Sequence, residues 1–483
     1  MAGNVAQGRL AGAKAPSYLR AVNEPEARAS QFTARLMLIT DLAYLLCSAE
    51  LKLMPRDSAQ RLTAAVLGLI DELPQRDLAT PAGDIVAQRE RWVGERVEKG
   101  DAGWFHLGRN RGESLRNYIP RLFFRQVLHD QGRQIATLVR RLVDRAESLL
   151  GALAPNYHHL QHSGLATVGE YLLSWAVTFE RHVQRLQQID ARLDYGPSTF
   201  GGRAQTNQLF DAVSARLGFS RRARLRRDGI WVQDQFSEPF FALALIAVDL
   251  ARLAQDLRIW VTPEFALFDL SDGHASGSSG LPHAKVPFGL QQVVGAGVMA
   301  STRLAGEMAA SCAGPSEGSE PLYSSGTLYQ AALDVVADTT FMAEVIEKGT
   351  FRAEEMKRKA LLDYAGTSEA HDRLVYDFGV PFRTGHRILG AMVRAHYNKE
   401  PLPDLREVLR AETGRDFDVD QEEIMDIVLG RVIWSTTIDE KGLREIWQEL
   451  DGKARAAEQA FAGDGVVRRA LDCVLRDARS FQA

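Results

Sequence analysis

The sequence predicts an all-α protein: a central bundle of long helices with a smaller helical domain at either end of the chain. Three observations carry this. In IATLVRRLVDRAESLL, residues Ile135, Leu138, Val139, Leu142, Val143, Ala146 and Leu150 recur at helical spacing and form one apolar face. In EPFFALALIAVDLARLAQDLRIWV the first half is apolar around most of its circumference, as in a helix buried on several sides. Breakers crowd the two ends of the chain and largely spare the middle. The expected division is an N-terminal helical domain over residues 1–112, a long-helix bundle over 113–350 and a C-terminal helical domain over 351–483.

Taken in order, the first domain is expected to hold shorter helices between frequent interruptions. In the bundle, Ser237 is an expected N-cap, with Pro239 tolerated in the first turn that follows. LYQAALDVVADTTFMAEVIEKG reads as another long helix, closed by Gly349 at a C-cap position. Beyond it the helices shorten and the connections lengthen, as in NKEPLPDL. No alternating run is long enough to force a sheet, and no repeat of fixed period is present. Gly295 and Gly297 in GAGVMASTRLAGEM read as close helix packing rather than a phosphate cradle, because no strand precedes them.

A formal net charge of -4 argues against nucleic acid as the main partner, since phosphate binding needs clustered positive charge. The local cluster RRARLRRDG, Arg221 to Gly229, reads as a solvated turn. Cys47, Cys312 and Cys473 match no zinc spacing, and so sparse and odd a count suits a reducing compartment. The first residues lack the apolar core of a signal peptide. The longest apolar run, Phe240 to Val248, is ended by Asp249 and is too short to span a bilayer. The expectation is a cytoplasmic protein with no membrane partner and no cofactor.

Three segments in or beside the bundle are too irregular for helix interior: WFHLGRNRGES, APNYHHLQHSG and SGSSGLPHAKVP. Each is dense in His, Asn, Arg, Ser and Gly, and polar residues on loops held by a rigid scaffold are the usual place for function. In these segments the chain resembles the argininosuccinate lyase branch of the fumarase/aspartase superfamily. The family pattern GSSxMPxKxNP reads here GSSGLPHAKVP, HTGRSRNDQ reads HLGRNRGES, and YTHLQ reads YHHLQ, in the family's order. WVTPEFALFDLSD and GVPFRTGHRILG are similar too, so the likeness runs from about residue 30 to about residue 450. The resemblance implies a three-domain fumarase/aspartase-like fold, a homotetramer whose central helices form one bundle, and active sites shared between subunits.

It also implies β-elimination: a proton leaves the carbon next to a carboxylate, and a leaving group departs from the neighbouring carbon. The family's base is a loop serine, here Ser278. A serine hydroxyl is a poor base, so N–H donors and positive charge must stabilise its oxyanion. Gly277, Ser279 and Gly280 beside it can turn backbone N–H groups toward one point. The family histidine corresponds to His159, with a role in proton handling at the leaving group or in orienting other groups.

Around these two residues the chain departs from the family. The loop lysine falls on Ala284, with Lys285 one residue away, and the loop asparagine falls on Val286. The neighbouring segment reads Asn110, Arg111, Gly112 and Glu113, keeping only its arginine. The threonine before the histidine is His158, the DRD arginine is Gln235 beside Asp234, and a tyrosine, a glutamine and a lysine further on are Ser311, Ser316 and Ser319. In the family these residues hold the two carboxylates of a succinyl group. Losing several charge-assisted contacts of about 1.5–3 kcal/mol each should abolish tight succinate binding.

The expected site is therefore Ser278 and His159 as catalytic groups, with Arg111, Asn110, His158, Gln161, Ser279, His283 and Lys285 around a small-molecule substrate, a carboxylate or an amino-acid derivative. Each also has a plainer reading: a retained loop serine, a packing histidine at a helix start, a structural ion pair at Arg111. His158 and His162 stand four apart, but no carboxylate at helical spacing completes a metal site. Three functional classes follow: a lyase with a substrate other than argininosuccinate that releases no fumarate, an isomerase or cyclase on the same scaffold, and a non-catalytic tetramer.

Overall fold

The computed structural model describes residues 14–76, 78, 85–109, 118–198, 204–225, 228–229, 234–311, 326–433 and 439–482. A short helical lead-in over residues 16–23 runs into a helix as long as those of the bundle, α1 over Glu24–Glu50, followed by α2 over Arg56–Glu72 and α3 over Ile85–Gly94. The expectation of shorter helices in this region fails at α1. Pro25 lies in its first turn, where a missing N–H costs nothing, and no breaker follows before Leu51. Its span Ala27–Glu50 is long and apolar enough to cross a membrane, yet 83% of the most apolar window is buried inside the protein, as in a core helix.

The bundle comprises α4 over Ile119–Glu147, α5 over Val168–Leu193, α7 over Asp234–Trp260, α8 over Phe288–Ser311 and α9 over Thr327–Lys348, with the shorter α6 over Ala204–Arg216 beside it. The periodic face of α4 is buried as expected, Ile135 through Ala146, and Leu150 just beyond its end is buried too. In α7, Phe240, Leu243, Ile246, Ala247, Leu250, Leu253 and Leu257 are buried. This helix begins at Asp234, so Ser237 is not its N-cap and Pro239 lies inside it. Lacking an N–H, Pro239 forfeits one bond of the helical ladder. Gly349 does follow α9, but its φ is −75°, not left-handed. Glycine is needed there for room: a Cβ would sit 2.1 Å from the Phe268 ring.

One end of the bundle gathers the last turns of α4, α7 and α9 and the first turns of α5 and α8. The Arg145 guanidinium at the end of α4 donates to the Gly349 carbonyl at the end of α9, at 2.9 Å. The Tyr171 ring in α5 packs at a tilt on Trp260 of α7, with ring centres 4.5 Å apart. Two small sheets cap this end. The antiparallel hairpin β1 over Leu153–His158 with β2 over Gln161–Thr167 joins α4 to α5. The pair β3 over Phe268–Asp269 with β4 over Thr350–Phe351 ties the chain after α7 to the chain after α9. The hairpin has no clean alternating pattern to announce it; its strands are short and only Leu153, Ala154, Pro155, Gly164 and Thr167 are buried.

After β4 come α10 over Ala353–Ala360, α11 over Thr367–Tyr376, α12 over Phe382–Tyr397, α13 over Leu405–Thr413 and α14 over Gln421–Val428. Ala370, Leu374, Ile388, Leu389, Met392, Leu409, Ile424 and Val428 give α11 to α14 a separate core, whereas Met356 of α10 packs into the large one. The last two helices, α15 over Glu440–Ala460 and α16 over Val466–Phe481, do not join it. Leu450, Ala454, Val467, Leu471 and Val474 pack into the large core shared by the bundle and the N-terminal helices. Residues 351–483 thus feed two cores.

Candidate active site

The Ser278 loop leaves β3 through a short turn at Asp272–His274 and closes on itself at its base. Ser276 and Val286 form an antiparallel bridge, N–H to carbonyl in both directions at 2.9 and 2.7 Å. Residues 277–285 therefore project as one unit ahead of α8. Within it the half-buried Ser278 Oγ accepts from the Leu281 N–H at 3.1 Å and the Gly280 N–H at 3.4 Å. Two backbone dipoles aimed at this oxygen are the arrangement that favours negative charge on it. Gly277 and Gly280 have open space where a side chain would stand. Ser279 and His283 are exposed on the same loop.

Lys285 is paired with two acids that precede the loop. Its ammonium pairs with Asp272 at 2.9 Å and Asp269 at 3.3 Å, and Arg352 reaches the other oxygen of Asp269 at 3.6 Å. The Asp272 bond, with help from Asp269, raises the Lys285 pKa and keeps the group cationic. A second staple sits alongside: the Ser271 hydroxyl donates to His274 Nδ1 at 2.6 Å, and His274 Nε2 donates to Glu344 of α9 at 3.1 Å. These pins were not foreseen. The i, i+3 acids of FDLSD, just before a loop with one lysine, are the signal that could have revealed Asp269 and Asp272.

His159 sits at the tip of the hairpin, not at a helix start. His158 pairs with Gln161, leaving His159 and Leu160 as the two turn residues, with φ of 51° and 58°. A two-residue turn with both φ positive is the type I′ form that matches strand twist and favours Asn-Gly. Neither residue here is Gly or Asn, and each left-handed non-glycine residue costs roughly 1–2 kcal/mol. Strain of this kind collects at functional sites. His158, His159 and Gln161 are exposed, and the His158 and His159 rings meet edge to face at 4.4 Å. Since His158 and His162 lie on a hairpin, they do not share a helix face, and among the described residues no group of three His, Cys, Asp or Glu could hold a metal. The hairpin and the approach to the serine loop share one end of the bundle, where Tyr157 packs on Phe265 with ring centres 5.5 Å apart.

Asn110 and Arg111 lie outside the described residues, as do Ser316, Ser319 and the side chain of Ser311. Their lead-in is described, and it is firmly anchored. Arg109 and Arg89 both pair with the buried Asp41 of α1, at 2.5 and 2.7 Å, and Arg109 lies over the Tyr44 ring. Burial first, then the charges of Arg109 and Arg89, push His106 down to about 2. The neutral ring accepts from Arg89 at 3.2 Å and donates to Glu90 at 3.1 Å. At the start of α7, Gln235 is buried, and burial raises the Asp234 pKa.

The serine loop and the histidine turn thus stand at one end of a helical bundle. A family model described as lyase matches residues 28–301, and the chain belongs to that family, as a divergent member of the fumarase/aspartase superfamily. It is 28% identical over 399 residues to argininosuccinate lyase of Methanoculleus marisnigri, covering 81% of this chain and 80% of that protein. It is 30% identical over 345 residues to argininosuccinate lyase of Corynebacterium jeikeium, covering 68% and 69%. Among solved structures, an EDDS lyase in complex with formate superimposes with a TM-score of 0.79 at 20% identity, covering 98% of this chain and 97% of that one. The β-carboxy-cis,cis-muconate cycloisomerase of Acinetobacter calcoaceticus superimposes with a TM-score of 0.65 at 16% identity, covering 93% and 97%.

Proposed function

We propose that this lyase catalyses β-elimination, or the reverse addition, on a substrate other than argininosuccinate and without release of fumarate. Ser278 takes the proton and His159 handles the proton at the leaving group. One observation carries the reading: Ser278 Oγ faces the N–H groups of Gly280 and Leu281 on a loop closed at its base. The substrate follows from the charge around it. The loop's single lysine is held by Asp269 and Asp272, and the family's other dicarboxylate contacts are replaced in sequence. That favours a compound with one carboxylate or an amide over a succinyl group. Arg111 is the proposed anchor for that carboxylate, with Asn110, His158, Gln161, Ser279 and His283 lining the pocket.

The site is proposed to be completed by other copies in a cytoplasmic homotetramer. Phe241 of α7, Val298, Met299 and Met308 of α8 and Leu333 of α9 are exposed on three bundle helices, an apolar surface that a second copy would cover. A cyclising or isomerising reaction is the second reading, favoured by the fold shared with a cycloisomerase, because the same proton abstraction serves both.

The experiment is turnover of a panel of N-succinyl, mono-carboxylate and amide substrates by the wild type and Ser278→Ala, with the assembly state checked by light scattering. A folded tetramer that turns over only compounds with one carboxylate or none, with the variant inactive, is the expected result. Fumarate released from argininosuccinate would overturn the substrate reading. Equal activity in Ser278→Ala would overturn the mechanism.

A further inference from the structure

His162 stands three residues past His159 and has no part in the chemistry proposed above. Its ring is nevertheless the most connected group on the hairpin. Nδ1 lies 3.0 Å from the Leu362 carbonyl oxygen, and Nε2 lies 3.3 Å from the Tyr157 hydroxyl. A carbonyl only accepts, so Nδ1 carries the proton and Nε2 accepts from Tyr157. Tyr157 is its cross-strand partner in the register and packs on its ring edge to face, with centres 5.0 Å apart.

The receiving carbonyl belongs to a second strained turn. Asp363 and Tyr364 have φ of 55° and 62°, and the Ala365 N–H closes back on the Leu362 carbonyl at 3.1 Å. This is again a tight turn with both central residues left-handed and neither a glycine. Leu362 O therefore spends one lone pair closing its own turn and the other on His162. Nearby, the Ser368 hydroxyl donates to the Ser163 carbonyl at 3.3 Å, and the Tyr364 hydroxyl meets His396 Nδ1 of α12 at 2.9 Å. Four left-handed non-glycine residues in two facing turns are costly, and such conformations persist only where their surroundings over-determine them. Here the surroundings include the His162 and Ser368 links between the two segments and the packing of α10 on β1.

We propose that His162 is a positioning residue: by bridging Tyr157 to the Leu362 carbonyl it locks the His159 turn against the 361–368 segment, so that the small C-terminal core sets where His159 points. The inference rests on the assignment of His159 to the reaction. His162 itself touches no reacting atom.

Two substitutions separate the bridge from mere packing. His162→Phe keeps a ring but makes neither hydrogen bond. His162→Asn places its amide N–H where Nδ1 stands and can still reach Leu362 O. Both are made in the full chain. Hydrogen exchange is followed by mass spectrometry in peptides covering 153–167 and 361–368, and kcat and KM are measured on whichever substrate the panel identifies. In His162→Phe, exchange should quicken in both peptides together and kcat should fall about a hundred-fold, the scale of a small misplacement of a catalytic group, with KM within two-fold. His162→Asn should restore both. Faster exchange in the hairpin alone, or no restoration by Asn, would overturn the bridge. Coupled exchange with an unchanged kcat would overturn the positioning role while leaving the bridge. The exchange result does not depend on a substrate, so failure of the lyase reading and failure of this one are told apart.

Discussion

The buried cluster around Asp41 makes a sharp test of how the lead-in to Arg111 is held. One carboxylate faces two guanidinium groups, with Asp41 side-chain exposure at 1%, Arg89 at 2% and Arg109 at 0%. Replacing Asp41 by Leu leaves two buried cations without their common partner. Removing one member of a buried pair costs about 3–5 kcal/mol, and this change should fall at the upper end. Replacing Arg109 by Leu leaves Asp41 paired with Arg89; lost are one charge-assisted bond of about 1.5–3 kcal/mol, the bond to the Phe105 carbonyl, and the contacts over the Tyr44 and Phe105 rings. The order matters more than either figure: Asp41→Leu should destabilise clearly more than Arg109→Leu. Because the residues touch, the double variant should be less destabilised than the sum of the singles. The assay is the midpoint of the first urea transition, followed by circular dichroism at fixed protein concentration. Arg109→Leu matching or exceeding Asp41→Leu would refute the reasoning, as would strict additivity.

Two further outcomes follow from groups beside the candidate site. His106 has its pKa pushed from 6.5 down to about 2, so the unfolded chain binds this proton more readily than the folded one. Its neutral ring contributes stability that is full above pH 6.5 and is lost as the pH falls, by up to about 1.4 kcal/mol per unit from one proton. Urea midpoints at a series of pH values below neutrality should fall less steeply in His106→Gln than in the wild type; parallel curves would rule out His106 as the source. Leu160 is exposed and left-handed, so Leu160→Gly relieves about 1–2 kcal/mol of strain against a glycine entropy cost of about 0.5–1 kcal/mol. A small gain in thermal stability is expected, and a loss would show that the turn is not strained as its φ values imply.

The long helices were legible because burial of one stripe writes a 3.6-residue period into the chain. The face from Ile135 to Ala146 and the apolar girdle of α7 could be read directly. Helix ends were less legible. Ser237 looks like a cap, yet α7 starts at Asp234 and runs through Pro239, because packing along the rest of a long buried helix outweighs one missing backbone bond. The hairpin at 153–167 was not legible at all: its two short strands bury few residues, and its turn residues are the wrong ones for a type I′ turn. Gly349 was placed correctly but for another reason, the closeness of Phe268.

By itself the sequence determined the helical class and the likeness to the lyase family, and it singled out Ser278 and His159 as candidates, since periodicity and short motifs are local properties of a chain. Only the tertiary structure decided what those residues face. It directs Lys285 onto Asp269 and Asp272, turns two N–H groups onto Ser278, and sends α15 back to the bundle and α16 to the N-terminal helices. It also binds His162 to a carbonyl two hundred residues away in the chain. Such partners are set by packing between segments remote in sequence, and no local pattern records them.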